Sequence, residues 1–376
     1  MILEAFFKRI ETQYEQELPF VVYRKPHKKE VKVLLQKTNN LCFAREFTEQ
    51  GFVFSPFDDK VDTVLIPLKN SEVIKALCYN EGSLNVFETS FNSKESVVSE
   101  EVKNHHIKLV QKGIKAIKND VFKKVVLSRK EDILLKEANP ITIFQKLLNK
   151  YPSAFVYCWY HPKVGLWLGA TPETLVKIEG NRFSIMALAG TQVYKDTLDV
   201  VWQDKEIQEQ QFVTDFVVDN LKPLVESIAI SGTNTVKAGN LLHLKTMISA
   251  QLKMRSNLKE VISAIHPTPA VCGVPKQAAK DFILKHENYK REFYTGFLGE
   301  LNLGTTVAPR SGKRNIENRA YALNRKSTQL YVNLRCMQLK NLQAIIYVGG
   351  GVTISSDAEK EWKETVDKSL IIKSIL

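Results

Sequence analysis

Long hydrophobic runs are absent from this 376-residue sequence, since none reaches the roughly 18 residues that a membrane-spanning helix needs. We therefore expect no membrane partner. The N-terminal segment 1–8 has an acid at Glu4 and lacks a small-residue cleavage site. It is predicted to form an amphipathic helix rather than a signal peptide.

Cysteine is scarce. The five cysteines are odd in number and lack the short spacings of a zinc site: Cys42, Cys78, Cys158, Cys272 and Cys336. This usage argues against a disulfide framework and is typical of a reducing compartment. The sequence therefore predicts a cytoplasmic protein.

Several signature motifs are also missing. There is no Gly-x-Ser-x-Gly, no P-loop, no dinucleotide fingerprint and no repeat of 20–50 residues. The net charge of +12 suggests a nucleic-acid partner, but no nucleic-acid-binding motif accompanies it. The basic segment 302–327, with Glu317 as its single acid, fits a solvated loop or a positive field for an anionic substrate. We expect no nucleic-acid partner.

The pattern of apolar runs predicts the fold class. With 44% hydrophobic and 25% charged residues, the composition is that of a globular protein. Short apolar runs alternate with turns over 1–100, and the polar segment 91–101 is a plausible junction. Long helices are expected at 204–228 and 252–264, with 232–240 between them as a turn region. Strand pairs mixed with long helices predict an α+β protein with large antiparallel sheets.

One stretch near the C-terminus combines glycines with acids. The apolar run 344–348 predicts a buried strand that ends at Gly349–Gly351, where glycines let backbone N–H groups approach a ligand. Ser356, followed three residues later by Glu359, is a capping-box pattern that predicts a helix from about Asp357. The stretch is either one wall of an anion and metal site or an ordinary structural corner.

Two pairs of glutamates have helical spacing. Glu361 and Glu364 share one helix face with Lys368, and Glu206 and Glu209 form the second pair. Oxygen ligands without His or Cys are typical of Mg²⁺. Acids in first helical turns are also favoured by the helix dipole alone. Both interpretations are open at this point.

Five further residues could take part in chemistry. Lys124 begins an apolar strand, and would either reach solvent or, if buried, have a lowered pKa and act as a general base. Glu173 is a turn acid or, in an apolar site, a general acid with a raised pKa. Arg335, inside an apolar strand, needs an anionic partner such as a carboxylate. His243 and His266, taken alone, are structural.

Together these pieces resemble the chorismate-utilising enzymes, and within them the isochorismate synthases. The resemblance covers residues 104–368, and the first 100 residues match only loosely. It rests on motifs that occur in the family's order: Lys124–Arg129, Gly169–Glu173, Leu188–Thr191, Lys205–Val213, Leu242–Leu244, His266–Ala270, Arg291–Gly296, Leu334–Cys336 and Tyr347–Lys368.

The resemblance implies one fold, the aminodeoxychorismate-synthase-like fold, with antiparallel sheets at the core and helices outside. Residues 1–100 would be a scaffold part and 101–376 the catalytic domain. It implies Mg²⁺ as cofactor, with Glu209 and Glu364 as direct ligands and Glu206 and Glu361 as supporting residues acting through water. The implied substrate-binding residues are Gly190, Thr191, Arg335 and the backbone of Gly349, Gly350 and Gly351 for carboxylates, with Lys368 and Tyr294 beside them and His243 near the ring.

The resemblance also implies a reaction. Relatives that use ammonia typically have glutamine at position 124, whereas Lys124 fits activation of water for addition at C2 of chorismate. Glu173 would protonate the departing C4 hydroxyl in a reversible step to isochorismate. Ala270, where eliminating and aminating relatives tend to have threonine, favours this product over the salicylate of salicylate synthases. A non-catalytic basic binding protein is the remaining alternative.

The same resemblance gives expectations about partners. Because water replaces ammonia, no glutaminase subunit is expected. The sequence shows no obvious assembly motif, so a monomer is the default expectation. Isochorismate would feed either menaquinone or catecholate siderophore biosynthesis, and the sequence does not distinguish the two.

Overall fold

The computed structural model describes residues 2–78, 100–238, 241–254, 256–306 and 324–376. Most of the predicted junction 91–101 lies outside these ranges. So do four of the basic residues noted between 302 and 327, namely Arg310, Lys313, Arg314 and Arg319.

The predicted N-terminal amphipathic helix is confirmed, because Phe6, Phe7 and Ile10 on one of its faces are buried. Among the helices of the described ranges, none is long and apolar enough to cross a membrane. The α-helices in these ranges are α1 (Leu3–Glu15), α2 (Glu100–Lys118), α3 (Pro140–Lys150), α4 (Asp204–Leu221), α5 (Leu258–Ile265), α6 (Lys276–His286) and α7 (Ala358–Lys373).

The strands are short in the N-terminal part and longer around the centre of the molecule. They are β1 (Phe20–Arg24), β2 (Glu30–Gln36), β3 (Cys42–Ala44), β4 (Gly51–Ser55), β5 (Thr63–Pro67), β6 (Ser71–Leu77), β7 (Lys124–Leu134), β8 (Phe155–His161), β9 (Gly165–Thr171), β10 (Thr174–Glu179), β11 (Arg182–Val193), β12 (Val225–Ile230), β13 (Asn234–Ala238), β14 (Leu241–Leu252), β15 (Gly273–Val274), β16 (Phe297–Thr306), β17 (Asn324–Val332), β18 (Cys336–Lys340) and β19 (Gln343–Val352).

These strands form two large sheets. Sheet A has nine strands in the order β15-β7-β19-β18-β9-β8-β1-β2-β6. Sheet B has ten, in the order β12-β14-β11-β10-β17-β16-β4-β5-β3, with β13 paired to β14 beside that path. Every pairing among the described strands is antiparallel. The predicted α+β class with large antiparallel sheets is confirmed.

The first 78 residues contribute to both sheets. Strands β1, β2 and β6 form one end of sheet A, and β3, β4 and β5 form one end of sheet B. The scaffold role of residues 1–100 stays a prediction. The division at residue 100 stays a prediction, because residues 79–99 lie outside the described ranges.

The two sheets pack face to face through an aromatic layer. Along β8 the side chains alternate, so that Phe155, Tyr157 and Trp159 point into this layer. Val156 and Cys158 point to the opposite face, into a cluster shared with α1, α3 and the end of α7. Side chains of a β-strand alternate between its two faces, and both faces of β8 are buried. Helices α4 and α5 cover the outer face of sheet B in the same way.

The predicted helix 204–228 is confirmed as far as Leu221 and wrong beyond it. Helix α4 ends at Leu221, and a single 3₁₀ turn over Lys222–Leu224 leads into β12. Pro223 explains the stop, because proline has no N–H for the helical ladder and its ring clashes with the preceding turn. The apolar periodicity that predicted the helix continues into residues that form β12.

Two neighbouring boundaries also differ. The predicted turn 232–240 contains β13, which pairs with the first half of β14. The predicted helix 252–264 begins only at Leu258, where Asn257 caps it by accepting from the backbone N–H of Glu260 at 2.9 Å. Strand β14 ends at Leu252, and the Ser256 N–H donates to the Lys253 carbonyl at 3.0 Å just before the cap.

Candidate active site

A cavity opens where β7 and β19 of sheet A face β11 and β14 of sheet B, between helices α4 and α7. About 970 Å³ of space free of protein atoms lies within it and at its mouth, and part of this space is open solvent. Twelve predicted site residues lie on its wall: Lys124, Glu173, Gly190, Thr191, Glu209, His243, Tyr294, Arg335, Gly349, Gly351, Glu364 and Lys368. Gly350, Glu206 and Glu361 are not among the wall residues.

The glycine stretch is part of a strand, not a turn after one. Strand β19 continues through Gly349–Gly351 to Val352 and pairs there with β7, Gly349 opposite Ser128 and Gly351 opposite Val126. The prediction that the strand ends at these glycines is therefore wrong. Their φ angles are not positive, so space rather than backbone conformation requires glycine here.

The missing side chains make room for the site. A Cβ on Gly351 would lie 3.0 Å from Lys124 Cε and 3.1 Å from Glu209 Oε1. A Cβ on Gly349 would lie 2.8 Å from the Leu127 carbonyl oxygen and 3.0 Å from the Tyr294 hydroxyl. Lysine and glutamate side chains therefore approach the bare backbone of β19 closely.

Lys124 is the first residue of β7, and its side chain is 3% exposed. Its Nζ lies 3.9 Å from Glu209 Oε2 on α4. The interpretation in which this lysine reaches solvent is thereby excluded. The ammonium is instead presented to the cavity with a carboxylate at salt-bridge distance.

Glu173 lies in the turn between β9 and β10 and is 5% exposed. Burial raises the pKa of its carboxyl to about 8, and the nearby Lys124 ammonium offsets part of that rise. Its backbone is fixed on both sides, because its N–H donates to Thr171 Oγ1 at 3.3 Å and its carbonyl accepts from Val332 N–H at 3.0 Å. A buried carboxyl that keeps its proton at neutral pH can act as a proton donor.

Arg335 lies in the loop between β17 and β18 with φ +48°, not inside a strand as predicted. Its Nη2 is 3.4 Å from His243 Nε2, and His243 Nδ1 is 2.8 Å from the carbonyl oxygen of Gly190. Arginine can only donate, so Nε2 accepts and Nδ1 carries the proton toward Gly190. Burial, followed by the Arg335 charge, lowers the pKa of His243 to about 4. His243 is thus a neutral link between Gly190 and Arg335.

The start of α7 differs from its predicted form. Asp357, rather than Ser356, is the N-cap, since its side chain accepts from the Lys360 backbone N–H at 2.9 Å. The Ser356 hydroxyl accepts instead from the Thr353 N–H at 3.0 Å. The predicted Ser356 capping box is wrong, although the helix begins within one residue of the predicted position.

On α7 the predicted face is formed. Lys368 Nζ lies 2.6 Å from Glu364 Oε1 and donates to the Gly349 carbonyl at 3.0 Å. Glu361 is 2% exposed, and its Oε2 lies 3.4 Å from the position that a Cβ on Gly350 would take. This helix therefore packs its acids and lysine directly over the glycines of β19.

On α4 the two predicted acids separate. Glu209 reaches the cavity beside Lys124. Glu206 accepts from the Gln203 backbone N–H at 3.0 Å at the start of the helix, and its Cβ would touch a side chain on Gly190. The structure thus gives Glu206 a capping contact away from the cavity wall.

Two acids of the cavity wall are candidate metal ligands. In the described part of the chain, no three His, Cys, Asp or Glu side chains converge closely enough to hold a metal ion by themselves. Glu209 and Glu364 are two carboxylates from different helices, each beside a lysine ammonium that supplies positive charge. Mg²⁺ commonly binds through one or two carboxylates together with waters and substrate oxygens. This pair of carboxylates fits that mode of binding.

Some wall residues were not singled out from the sequence. Thr295, Leu334 and Tyr347 line the cavity, and each is adjacent to a predicted site residue or begins the glycine stretch. Leu188 and Leu241 contribute apolar surface from β11 and β14. Apolar side chains carry no chemical signal, so only the pairing of the strands identifies them.

Comparisons with known proteins identify the family of this chain. The model of a family described as chorismate binding enzyme matches residues 61–323, and a second chorismate-binding model matches 320–374. The isochorismate synthase MenF of Pasteurella multocida is 29% identical over 71% of this chain and 60% of its own length. The isochorismate synthase EntC of Escherichia coli K12 is 26% identical over 64% of this chain and 59% of its own length.

The fold has a solved counterpart. A 2,3-dihydroxybenzoate-specific isochorismate synthase from Bacillus anthracis superposes with a TM-score of 0.75 over 97% of this chain and 98% of that chain, at 20% identity. The matched region spans about 60% of the length of the two curated relatives. The chain belongs to the family of chorismate-binding enzymes.

Proposed function

We propose that this protein is an isochorismate synthase, converting chorismate reversibly to isochorismate. The observation that carries the proposal is the pairing of Lys124 with Glu173. Both side chains are buried, and both line the same cavity. A base and a protonated acid on the same small cavity suit a reaction that adds water at one carbon and removes a hydroxyl at another.

The substrate carries two carboxylates, and the cavity offers donors for both. Arg335, held by neutral His243, provides a fixed fork of N–H donors. Thr191 and the exposed backbone of Gly349 and Gly351 lie on the same wall. The positive charges of Arg335 and Lys368 would hold the carboxylates and orient the ring between Lys124 and Glu173.

The proposed step balances without an external reagent. Lys124, in its neutral form, takes a proton from water while the oxygen adds at C2. The ring double bonds shift, the C4–O bond breaks, and Glu173 transfers its proton to the leaving hydroxyl. One water enters and one leaves, so substrate and product are isomers. Proton exchange with solvent then restores both side chains.

Mg²⁺ is proposed as the cofactor, held by Glu209 and Glu364. When bound, it would supply positive charge to the ring carboxylate and stabilise charge that develops in the transition state. Glu361, buried under Gly350, would support that end of the site. The role of Glu206 in metal binding stays a prediction, since its carboxylate caps α4.

We also propose which product is released and which partner subunit is not needed. Ala270 lies on the cavity wall, and its small side chain supports release of isochorismate rather than further elimination of pyruvate. Because Lys124 stands where ammonia-using relatives carry glutamine, no glutaminase subunit is needed. A cytoplasmic monomer serving menaquinone or catecholate siderophore biosynthesis completes the proposal.

Product analysis tests this assignment. Purified protein is incubated with chorismate and Mg²⁺, and the products are separated by chromatography. Isochorismate in equilibrium with chorismate is the expected result. Salicylate with pyruvate as the main products would assign the chain to the salicylate synthases, and no turnover would refute both assignments.

A further inference from the structure

The outer edge of β7 is only partly covered by another strand. Strand β19 pairs along the whole of one side, but β15 on the other side contributes only Gly273 and Val274, opposite Val125 and Lys124. The N–H of Val126 still donates to the Cys272 carbonyl at 2.7 Å. From that point β15 and the loop before it no longer follow β7.

An ion pair takes over where the strand ends. Arg291 Nη2 donates to the Val126 carbonyl at 2.7 Å, and Glu287 Oε1 accepts from the Ser128 N–H at 2.8 Å. The two side chains are joined, with Arg291 Nε donating to Glu287 Oε2 at 2.8 Å. The Arg291 and Glu287 side chains thus make the hydrogen bonds to Val126 and Ser128 that a neighbouring strand would otherwise make.

The Arg291 guanidinium also donates hydrogen bonds to two other segments of the cavity wall. Arg291 Nη1 donates to the Val271 carbonyl at 3.0 Å and to Thr295 Oγ1 at 3.2 Å. Val271 and Thr295 both line the cavity, as does Val126. One buried arginine therefore connects three separate segments that meet at the site.

Burial of an ion pair is costly, because both charged groups lose their contact with water. The side chains of Arg291 and Glu287 are 2% and 1% exposed. A buried ion pair often stabilises a fold no more than well-packed apolar residues of similar size would. An ion pair at this place is better explained by the directed bonds that it makes to backbone groups.

We propose that Arg291 and Glu287 are positioning residues, which hold the strand that carries Lys124 in register with Gly349–Gly351. The inference rests on the proposed function in so far as Lys124 is the base. Neither residue is on the cavity wall. They act by fixing Val126, two residues along β7 from Lys124, and by holding the loop at Val271 against the same strand.

Two variants test the proposal. Arg291→Lys keeps a positive charge beside Glu287, but one ammonium cannot reach every acceptor that the guanidinium fork serves. The double variant Arg291→Met with Glu287→Leu replaces the pair by apolar residues, which preserves a folded core. The matched control is Glu300→Gln, which breaks a buried ion pair with Lys32 away from the cavity wall.

Turnover and backbone exchange are measured for each folded variant. We expect kcat on chorismate to fall about 10- to 100-fold in both variants, with KM changing less than about threefold, since misplaced catalytic groups cost rate rather than affinity. Amide hydrogen exchange should accelerate at Ser128 and at Gly349–Gly351. Glu300→Gln should lower the thermal midpoint while leaving kcat and this exchange unchanged.

Other results would contradict the positioning role, the control or the proposed function. A kcat within about twofold of wild type together with unchanged exchange at Ser128 would overturn the positioning role. An equal loss of kcat in Glu300→Gln would show that general stability was being measured. If the unmodified protein does not turn over chorismate, the proposed function fails, and the exchange at Ser128 and Gly349–Gly351 alone judges the positioning role.

Discussion

Replacement of Glu173 by glutamine should change how the stability of the protein depends on pH. The pKa of this carboxyl is about 8 in the folded protein, against 4.5 for an ordinary glutamate, because burial disfavours its charged form. Between these values the folded state keeps a proton that the unfolded state has lost. Stability therefore falls as pH rises through this interval, by about 1.4 kcal/mol per pH unit.

The magnitude follows from the width of the interval. From pH 4.5 to about 8, the loss sums to about 5 kcal/mol in the unmodified protein. Below pH 4.5 both states are protonated, and above about 8 both are ionised, so the effect is confined to this window. Glu173→Gln does not titrate. Its stability relative to the unmodified protein should rise by about 5 kcal/mol across the window.

Urea denaturation of both proteins at intervals from pH 4.5 to 8.5 gives this difference, and other titrating groups cancel in the comparison. The control is Gln343→Asn at the exposed start of β19, which replaces one uncharged amide by another, so the difference should not vary with pH. A difference for Glu173→Gln that stays constant within about 1 kcal/mol would refute the raised pKa and, with it, the argument for a proton donor.

Three further substitutions test the site. Lys124→Gln should lower kcat by about 10²- to 10⁴-fold through loss of the base. Lys123→Gln, at the exposed neighbouring residue, should retain activity. Chromatographic measurement of the rate of isochorismate formation compares the two variants. Gly351→Ala places a Cβ 3.0 Å from Lys124 Cε and should lower kcat at least about tenfold, whereas Gly232→Ala, with open space around it, should not. Glu364→Gln should raise the Mg²⁺ concentration for half-maximal activity at least about tenfold without changing the circular dichroism spectrum, and an unchanged Mg²⁺ titration would remove Glu364 as a ligand.

The polar members of the site could be predicted from the sequence because each is a chemically distinctive residue in a short motif. Lys124, Glu173 and Glu209 were expected together, and they share one cavity. Burial could not be read from their spacing. The solvent-exposed and buried interpretations of Lys124 differ only in what packs around β7, which is set by residues distant in the chain.

The errors in the fold have local physical causes. Apolar periodicity cannot distinguish the end of α4 from the start of β12, and only Pro223 marks the change. The glycines at 349–351 suggest a turn, yet they remain in β19 because β7 pairs with them residue by residue. Arg335 lies between two apolar strands that read as one, since the left-handed φ of a single residue leaves no pattern in the sequence.

The Arg291–Glu287 pair shows a different limit of sequence analysis. Its four-residue spacing is visible in the sequence, but an i,i+4 pair is expected on any helix surface. Here the two residues follow α6 and are buried, and their partners are backbone groups of Val126 and Ser128. No pairwise pattern in the sequence indicates bonds from a side chain to a distant backbone.

The most direct measurement of the central claim uses water enriched in ¹⁸O. Lys124 is proposed to activate a water molecule whose oxygen becomes the C2 hydroxyl of isochorismate, while the C4 oxygen leaves. Mass spectrometry of isochorismate formed from unlabelled chorismate should therefore show one ¹⁸O atom per molecule, located at C2. Isochorismate without the label would mean that the hydroxyl is transferred within the substrate, and would contradict the roles given to Lys124 and Glu173.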